Sequence, residues 1–474
     1  MGPAARVGGR ATRATLPRMS ATRRLGLVLA ALLLLAVVPW LAAPAAGPGG
    51  EPGERLVIVS PHWEGIRYEF GRAFAGWMAA RGRRVEVVWV NPGGTSACLR
   101  YVKSRAAEMQ GDIGIDLFFG GGVDPHLSLA EAGLLDPVTL DPAILETVPR
   151  EVNGVPIYDE KAGWFGTCLT TFGIVYNKAL LTRLGLQEPR SFVALGEPPY
   201  RSWVALADPR MSGTVHMIYE LILQSRGWDQ GFRLIARSAA NARRFYHHAA
   251  EVPMEIGAGE VALGATIDSY AWAQVGQLGA LSIGFVAPDG ETVVNPDAIA
   301  VLKRAPHPGL AREFVEFTLS EAGQVLWMLP KGAPGGPERY VLGRMPVSPA
   351  AFAARRAEAP VTIDPFARRE LAAYDTALGS RRWNLVNGLI GATLIDLHRD
   401  LTSAWAEIAA AGYPEEAVGL LTAPPCSEAE AARLAASDFS DPMKKNLRLA
   451  TWSREAKERY QRARTLARRR GGDS

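Results

Sequence analysis

Polar side chains follow an apolar segment near the start of the chain. Residues 56–59 are typical of a short buried strand, and they run directly into Ser60, His62 and Glu64. In open α/β sheets ligands bind beyond the carboxyl ends of strands, so this loop is a candidate binding site. If the loop is extended, His62 and Glu64 face the same side, where they would coordinate a cation, hydrogen-bond a polar solute, or pair at the surface.

A second apolar segment ends in bare backbone. Residues 115–119 are apolar apart from Asp116 and open onto a glycine run that contains Gly121 and Gly122. Glycine lets the backbone approach a ligand closely. The two strand-end loops, one polar and one glycine-rich, therefore predict one shared cleft.

A further set of candidate binding residues lies later in the chain. Ser212 and Thr214 stand just before an apolar helical stretch, and a helix amino terminus offers free N–H groups to an anion. Asp268 and Tyr270 repeat the spacing of His62 and Glu64, and Asn241 is either a helix-end cap or a polar ligand contact.

Strands and helices alternate along the first half of the chain, which predicts an α/β fold with a mainly parallel sheet. Residues 169–176 and 292–302 are β-rich and flank the second set of candidates, so we expect them to cross between two lobes as a hinge. From residue 364 the composition becomes helical, and apolar spacing predicts a helix over residues 385–410 that packs on the body.

Charge and cysteine content exclude several classes of protein. The net charge of +4 comes largely from the two ends of the chain, so nucleic acid is not an expected partner. The three cysteines allow at most one disulfide and have no metal-ligand spacing. No cofactor is expected.

The amino-terminal residues 1–46 have the pattern of an export signal. Arginines without acids precede an apolar run over residues 25–43, and small residues follow it as in a cleavage site. An uncleaved membrane anchor is the alternative. A cleaved signal and an uncleaved anchor both predict a periplasmic or extracellular protein.

The segment from Trp203 to Tyr270 resembles the second lobe of the bacterial extracellular solute-binding proteins of the ferric-ion-binding receptor group. The resemblance is an ordered series of short motifs across residues 55–350: Trp203 with Asp208 and Pro209, Ser212 to Thr214, Gly227 and Trp228, Asn241 and Ala242, Gly259 to Ala262, Asp297 to Leu302, Ala305 to Pro308, Glu313 to Phe317, and Ser320 to Trp327.

That resemblance implies a two-lobe periplasmic-binding-protein fold of type II with a hinge of two crossing strands. The implied domains are a discontinuous first lobe over residues 47–168 and 293–363, a second lobe over residues 169–292, and a helical extension over residues 364–474. It also implies a monomeric, non-enzymatic receptor that closes over a small solute and delivers it to an ABC transporter permease in the membrane.

The sequence leaves two classes of solute open: ferric iron, or a small anionic or phosphorylated compound. Carboxylate, phenolate and imidazole groups suit iron, but the iron receptors commonly carry adjacent tyrosines, and no such pair occurs in this sequence. The alternative function is an exported metal-dependent hydrolase that uses His62, Glu64 and Asp268. The sequence contains none of the common hydrolase motifs.

Overall fold

The computed structural model describes residues 53–361, 363–367 and 371–471. The predicted signal or anchor over residues 1–46 lies outside these residues. No helix in the described part of the chain has the length and apolar character that a membrane span requires.

Strands and helices alternate up to about residue 330, and helices alone follow residue 375. The strands are β1 (Glu54–Val59), β2 (Val85–Val90), β3 (Leu117–Phe119), β4 (Glu151–Val152), β5 (Val155–Pro156), β6 (Phe165–Asn177), β7 (Val204–Ala207), β8 (Ala242–Tyr246), β9 (Leu263–Ile267), β10 (Ile283–Val286), β11 (Val294–Val301) and β12 (Met345–Pro346). The α-helices are α1 (Glu64–Ala79), α2 (Thr95–Glu108), α3 (Asp124–Glu131), α4 (Pro142–Leu145), α5 (Lys178–Leu184), α6 (Gly213–Arg226), α7 (Trp228–Asn241), α8 (Glu251–Gly257), α9 (Asp268–Leu278), α10 (Pro308–Leu319), α11 (Glu321–Met328), α12 (Pro349–Arg355), α13 (Thr376–Ile390), α14 (His398–Ala410), α15 (Glu415–Thr422), α16 (Glu428–Ala436) and α17 (Pro442–Gly471).

The main sheet is parallel within each lobe and antiparallel where the lobes join. Its strand order is β2-β1-β3-β11-β6-β9-β7-β8. Strand β1 pairs in parallel with β2 and β3, and β7 pairs in parallel with β8 and β9. We call the part built around β1 lobe 1 and the part built around β7 lobe 2. The carboxyl ends of the parallel strands in each lobe carry the loops that face the other lobe.

Strand β6 joins the two lobes. Its first half pairs with β11, for example Thr171 with Val294, and its second half pairs with β9, for example Phe172 with Ile267. The two segments predicted as crossings therefore lie side by side. The proposed hinge role and the lobe boundaries remain predictions.

Each lobe has its own apolar core. In lobe 1, Phe70, Phe119 and Trp327 lie in one buried cluster, as their apolar spacing on helices and strands predicts. In lobe 2 the cluster extends without a break into the helical extension, where Leu389 and Trp405 are fully buried. The predicted packing of the extension on the body is confirmed.

The extension differs from its prediction in one respect. Residues 385–410 do not form one helix: α13 ends at Ile390, a π-helical turn covers Gly391–Ile395, and α14 begins at His398. A side chain at Gly391 would lie 2.7 Å from a guanidinium nitrogen of Arg210, and that arginine pairs with Asp396. The single π turn lies where Arg210 packs against the helix, and apolar periodicity carries no signal for it.

Candidate functional site

A cavity of about 670 Å³ lies between the two lobes. Strand-end loops from both lobes line it, including six residues predicted from the sequence: His62, Gly121, Gly122, Ser212, Thr214 and Tyr270. The structure therefore brings together groups that lie more than 200 residues apart in the chain, as expected for ligands bound beyond strand ends.

Two predicted site residues near the first strand do not line the cavity. Ser60 is buried, and its hydroxyl accepts a hydrogen bond from the His62 backbone N–H at 3.1 Å. Glu64 is exposed because it begins helix α1, so the loop is not extended up to this residue and the expected alternation with His62 fails. The Glu64 carboxylate instead accepts a hydrogen bond from the Tyr340 hydroxyl at 3.3 Å.

Asn241 is a buried structural residue in this fold. Its amide nitrogen donates to the carbonyl oxygens of Leu195 and Glu197, and its amide oxygen accepts from the Trp405 indole at 2.8 Å. These bonds satisfy the side chain far into the lobe 2 core, so the structure does not bring it to the cavity.

Asp268 is also held by the protein itself. Its carboxylate accepts hydrogen bonds from the backbone and hydroxyl of Thr171 at 3.1 and 3.2 Å and from the Ser269 N–H at 2.7 Å. Burial nevertheless raises the pKa of Asp268 to about 7. It links strand β6 to helix α9, and Tyr270, two residues further along that helix, lines the cavity.

A buried ion-pair cluster that the sequence analysis missed forms the cavity floor. The Asp297 carboxylate lies 2.5 Å from the Arg344 guanidinium and 2.9 Å from the His62 Nε2, and it accepts from the Gly122 N–H at 2.9 Å. Burial raises the pKa of Asp297, but His62, Arg344 and Gly122 together hold that pKa well below its usual range.

His62 is the neutral partner in this cluster. Burial lowers the pKa of His62 below its usual value, against the opposing effect of the Asp297 carboxylate. A neutral ring that donates from Nε2 to Asp297 keeps Nδ1 as an acceptor, and Nδ1 is buried with no hydrogen-bond partner in the described structure. His62 therefore has one ring nitrogen, Nδ1, that makes no hydrogen bond within the described residues.

Arg67 is a second missed residue. It lies on helix α1 and lines the cavity, and its Nε is buried without a hydrogen-bond partner. Within residues 53–361, 363–367 and 371–471, no ion pair neutralises its guanidinium group. A half-buried, unneutralised arginine in a cavity favours an anionic ligand.

Several helices begin at loops that line the cavity, and α2, α3 and α6 are three of them. None of the three has a side chain that caps its first turn, although Ser212 stands at the N-cap position of α6. Elsewhere Asn177 and Asp375 cap α5 and α13 in the usual way. In the described part of the chain, the first-turn N–H groups of these helices have no partner among the side chains of other residues, and neither does the Ser212 hydroxyl. At the start of α3 the Asp124 carboxylate accepts from its own backbone N–H.

The glycines of these loops let the two lobes touch. A Cβ atom on Gly94 would lie 1.6 Å from the Met211 carbonyl oxygen, and one on Gly213 would lie 2.8 Å from the Thr95 hydroxyl. Gly94 and Thr95 belong to lobe 1, whereas Met211 and Gly213 belong to lobe 2. The lobes are therefore closed over the cavity in this structure, and side chains at these positions would hold them apart.

Comparison with known proteins supports the two-lobe architecture. Residues 111–338 match the family described as bacterial extracellular solute-binding protein. This part of the chain is similar to that family. By that description, the family binds solutes outside the cytoplasm.

Solved structures show the same fold. The periplasmic binding protein AfuA from Actinobacillus pleuropneumoniae, with fructose-6-phosphate bound, is 19% identical with a TM-score of 0.58, covering 75% of this chain and 98% of that one. Iron-bound HitA from Pseudomonas aeruginosa is 18% identical with a TM-score of 0.55, covering 73% and 99%.

One curated relative is the phosphoglycerate transport regulatory protein PgtC of Salmonella typhimurium. It is 26% identical over 177 residues, which is 37% of this chain. The match spans 42% of the relative's length.

Proposed function

We propose that this protein is the extracytoplasmic receptor of an ABC-type importer and that its solute is a small phosphorylated organic anion. The observation that carries this proposal is the convergence of three helix amino termini without side-chain caps on a cavity that also contains Arg67. Partial positive charge and free N–H groups at helix starts bind phosphate, and an arginine without an acidic partner adds a full charge.

The rest of the cavity suits the organic part of such a solute. The unpartnered His62 Nδ1 and the hydroxyl groups of Ser212, Thr214 and Tyr270 offer donors and acceptors for sugar or glycerate hydroxyls. Gly121 and Gly122 let the backbone approach the ligand. Closure of the lobes would bury these groups around the solute, and the closed form would then be presented to the permease.

Ferric iron fits the cavity less well. Burial raises the pKa of Tyr270, which disfavours the phenolate that a ferric ion requires. The Asp297 carboxylate is already paired with Arg344 and His62. Within the described residues, no group of three His, Cys, Asp or Glu side chains has the geometry of a metal site.

The names and descriptions of the proteins that this chain resembles include both kinds of ligand. AfuA is described with fructose-6-phosphate bound, PgtC is named for phosphoglycerate, and HitA is described as iron-bound. The chemistry of this cavity favours the first two. The hydrolase alternative is not favoured, because Glu64 and Asp268 do not join His62 in the cavity.

Calorimetric titration of the purified protein tests the ligand class. The panel is fructose 6-phosphate, 3-phosphoglycerate, inorganic phosphate and ferric citrate, with fructose and glycerate as matched compounds that lack the phosphate. We expect a phosphorylated compound to bind and its unphosphorylated counterpart not to bind. Tight binding of iron, or equal affinity with and without the phosphate, would contradict the proposal.

Replacement of Arg67 by glutamine should weaken binding of the phosphorylated solute. Hydrogen bonds to charged groups contribute about 1.5 to 3 kcal/mol, so we expect affinity to fall between about tenfold and a hundredfold. The matched control is Arg84→Gln, which removes an exposed arginine outside the cavity lining. Equal affinity in the two variants would remove Arg67 from the site.

Replacement of Gly94 by alanine should prevent full closure of the lobes. The backbone of Gly94 has φ −69° and ψ 177°, which alanine adopts without strain, so the effect comes from the clash with Met211. We expect solute affinity to fall by about tenfold or more, with an unchanged thermal melt. Gly76→Ala is the control, since a Cβ there meets nothing within 4 Å. Unchanged affinity in Gly94→Ala would show that binding does not require this contact.

A further inference from the structure

The helical extension connects the two lobes a third time, apart from strands β6 and β11. The segment that leads into it first contacts lobe 1, where the Asn153 amide donates to the Pro365 carbonyl oxygen at 3.1 Å. It then passes the start of the crossing strand, where the Ala372 N–H donates to the Thr292 carbonyl oxygen at 2.8 Å. Helix α13 follows and lies against both α3 of lobe 1 and α6 of lobe 2.

The attachment of α13 to lobe 2 is extensive and buried. The Arg382 guanidinium binds the fully buried Glu220 carboxylate at 2.7 and 2.8 Å. The Asn387 amide oxygen lies 2.7 Å from the His216 Nδ1, and the Trp383 ring lies 3.7 Å from the His216 ring. Helix α13 also shares the apolar core of lobe 2. It therefore moves with lobe 2 as one body.

Helix α13 also packs on α3 of lobe 1 beside the cavity, and polar contacts accompany this packing. The Trp383 indole donates to the Ser96 hydroxyl at 3.2 Å, on helix α2. The Ser380 hydroxyl donates to the Asp124 carbonyl oxygen at 3.3 Å, at the start of α3. These contacts join the same two helices whose amino termini face the cavity from lobe 1.

We propose that α13 is a latch that holds lobe 1 against lobe 2 even without solute, and so positions the amino termini of α2 and α3 opposite that of α6. Receptors of two lobes close around their ligand by hinge motion, so a contact that holds the lobes together without solute would favour the closed form. Each hydrogen bond that exists only in the closed form shifts the ratio of closed to open molecules by about fivefold. Two such bonds together shift it by more than about tenfold.

The test measures the distance between the lobes in the solute-free, full-length protein by single-molecule energy transfer. Dyes are attached at Arg84→Cys in lobe 1 and Leu281→Cys in lobe 2, two exposed positions, while the native Cys98, Cys168 and Cys426 are buried. Because no solute is used, the result does not depend on the ligand proposed above.

The variants are Trp383→Phe and Ser380→Ala, each of which removes one hydrogen bond between α13 and lobe 1. Trp405→Phe is the matched control: it makes the same change within the extension, where the indole bonds Asn241 of lobe 2. We expect one narrow distance distribution in the unmodified protein and in the control, and an added population at longer distance in both variants. Identical distributions in all four proteins would overturn the latch, as would a broad distribution in the unmodified protein.

A substitution of the hydrogen-bond acceptor distinguishes the loss of this bond from a general loss of packing around Trp383. Ser96→Ala removes the same hydrogen bond from the lobe 1 side without a change in the extension. We expect Ser96→Ala to open the lobes as much as Trp383→Phe does, and the double variant to open them no further. Additive effects would assign the change to packing of Trp383 and overturn the role of this bond.

Discussion

Replacing Asp297 with alanine is expected to lower the free energy of unfolding by about 3 to 5 kcal/mol, because the change leaves a buried charge without its partner. The side chain of Arg344 is 6% exposed and its guanidinium group pairs with Asp297. The same change removes the acceptors for His62 and for the Gly122 N–H. Urea denaturation at pH 7 measures the loss.

The matched control is Asp229→Ala, which breaks a surface ion pair with Arg233 on helix α7. The Asp229 side chain is 53% exposed, and exposed pairs contribute about 1 kcal/mol or less. A loss in Asp297→Ala no larger than that in the control would show that the cluster does not stabilise the fold.

The contribution of Asp297 to the free energy of unfolding should also depend on pH. Its pKa is lowered in the folded protein, so its stabilising contribution is present above the unfolded pKa of about 3.9 and is lost as the pH falls below that value. The difference between Asp297→Ala and the unmodified protein should therefore shrink in acid. A difference that stays constant from pH 7 to pH 3 would contradict the assignment of the shift to this carboxylate.

The strand-end loops were predictable because their signal is local. Apolar strands that end in His62 or in Gly121 and Gly122 are visible within a few residues, and the order of elements then brings the loops together. Glu64 was misplaced for an equally local reason: the helix begins one residue earlier than an extended loop would allow, and no capping side chain marks its start.

The floor of the site depends on contacts that sequence spacing does not reveal. His62 and Asp297 are 235 residues apart, and Arg344 joins from a further segment. One signal was present: Asp297 is a charged residue within the apolar strand β11, and such a charge is normally paired when buried. Arg67 carries no comparable signal, since it is one arginine among many on amphipathic helices.

The extension shows the same division between local and distant information. Apolar spacing predicted its helices and their packing. It did not predict that α13 would contact lobe 1, because the Trp383–Ser96 bond spans 287 residues and involves two polar groups without a pattern. Contacts of this kind arise from the final arrangement of the lobes rather than from local preference.

The carboxyl group of Asp124 gives the second large expected effect. It lines the cavity at the start of α3, and burial, with a smaller effect from Glu220, raises its pKa to about 8. Between the unfolded pKa of about 3.9 and pH 8 the folded protein holds a proton that the unfolded chain releases. Over this window Asp124 must lower the free energy of unfolding as the pH rises, by about 1.4 kcal/mol per pH unit.

Asp124→Asn should abolish this fall in the free energy of unfolding with rising pH, because an amide resembles the protonated carboxyl and does not titrate. We expect the variant and the unmodified protein to be equally stable near pH 4, the advantage of the variant to grow up to pH 8, and no further growth above it. Urea denaturation from pH 4 to pH 9 measures this profile.

Asp268→Asn serves as the comparison for this profile. The pKa of Asp268 is raised to about 7. The gain in the free energy of unfolding of Asp268→Asn over the unmodified protein should therefore also grow as the pH rises, but it should stop growing one pH unit earlier. An advantage of Asp124→Asn that is independent of pH would show that Asp124 does not hold a proton in the folded state.

The same proton also affects binding. Above pH 8 the ionised Asp124 would repel a phosphorylated solute, so affinity should fall there in the unmodified protein and persist in Asp124→Asn.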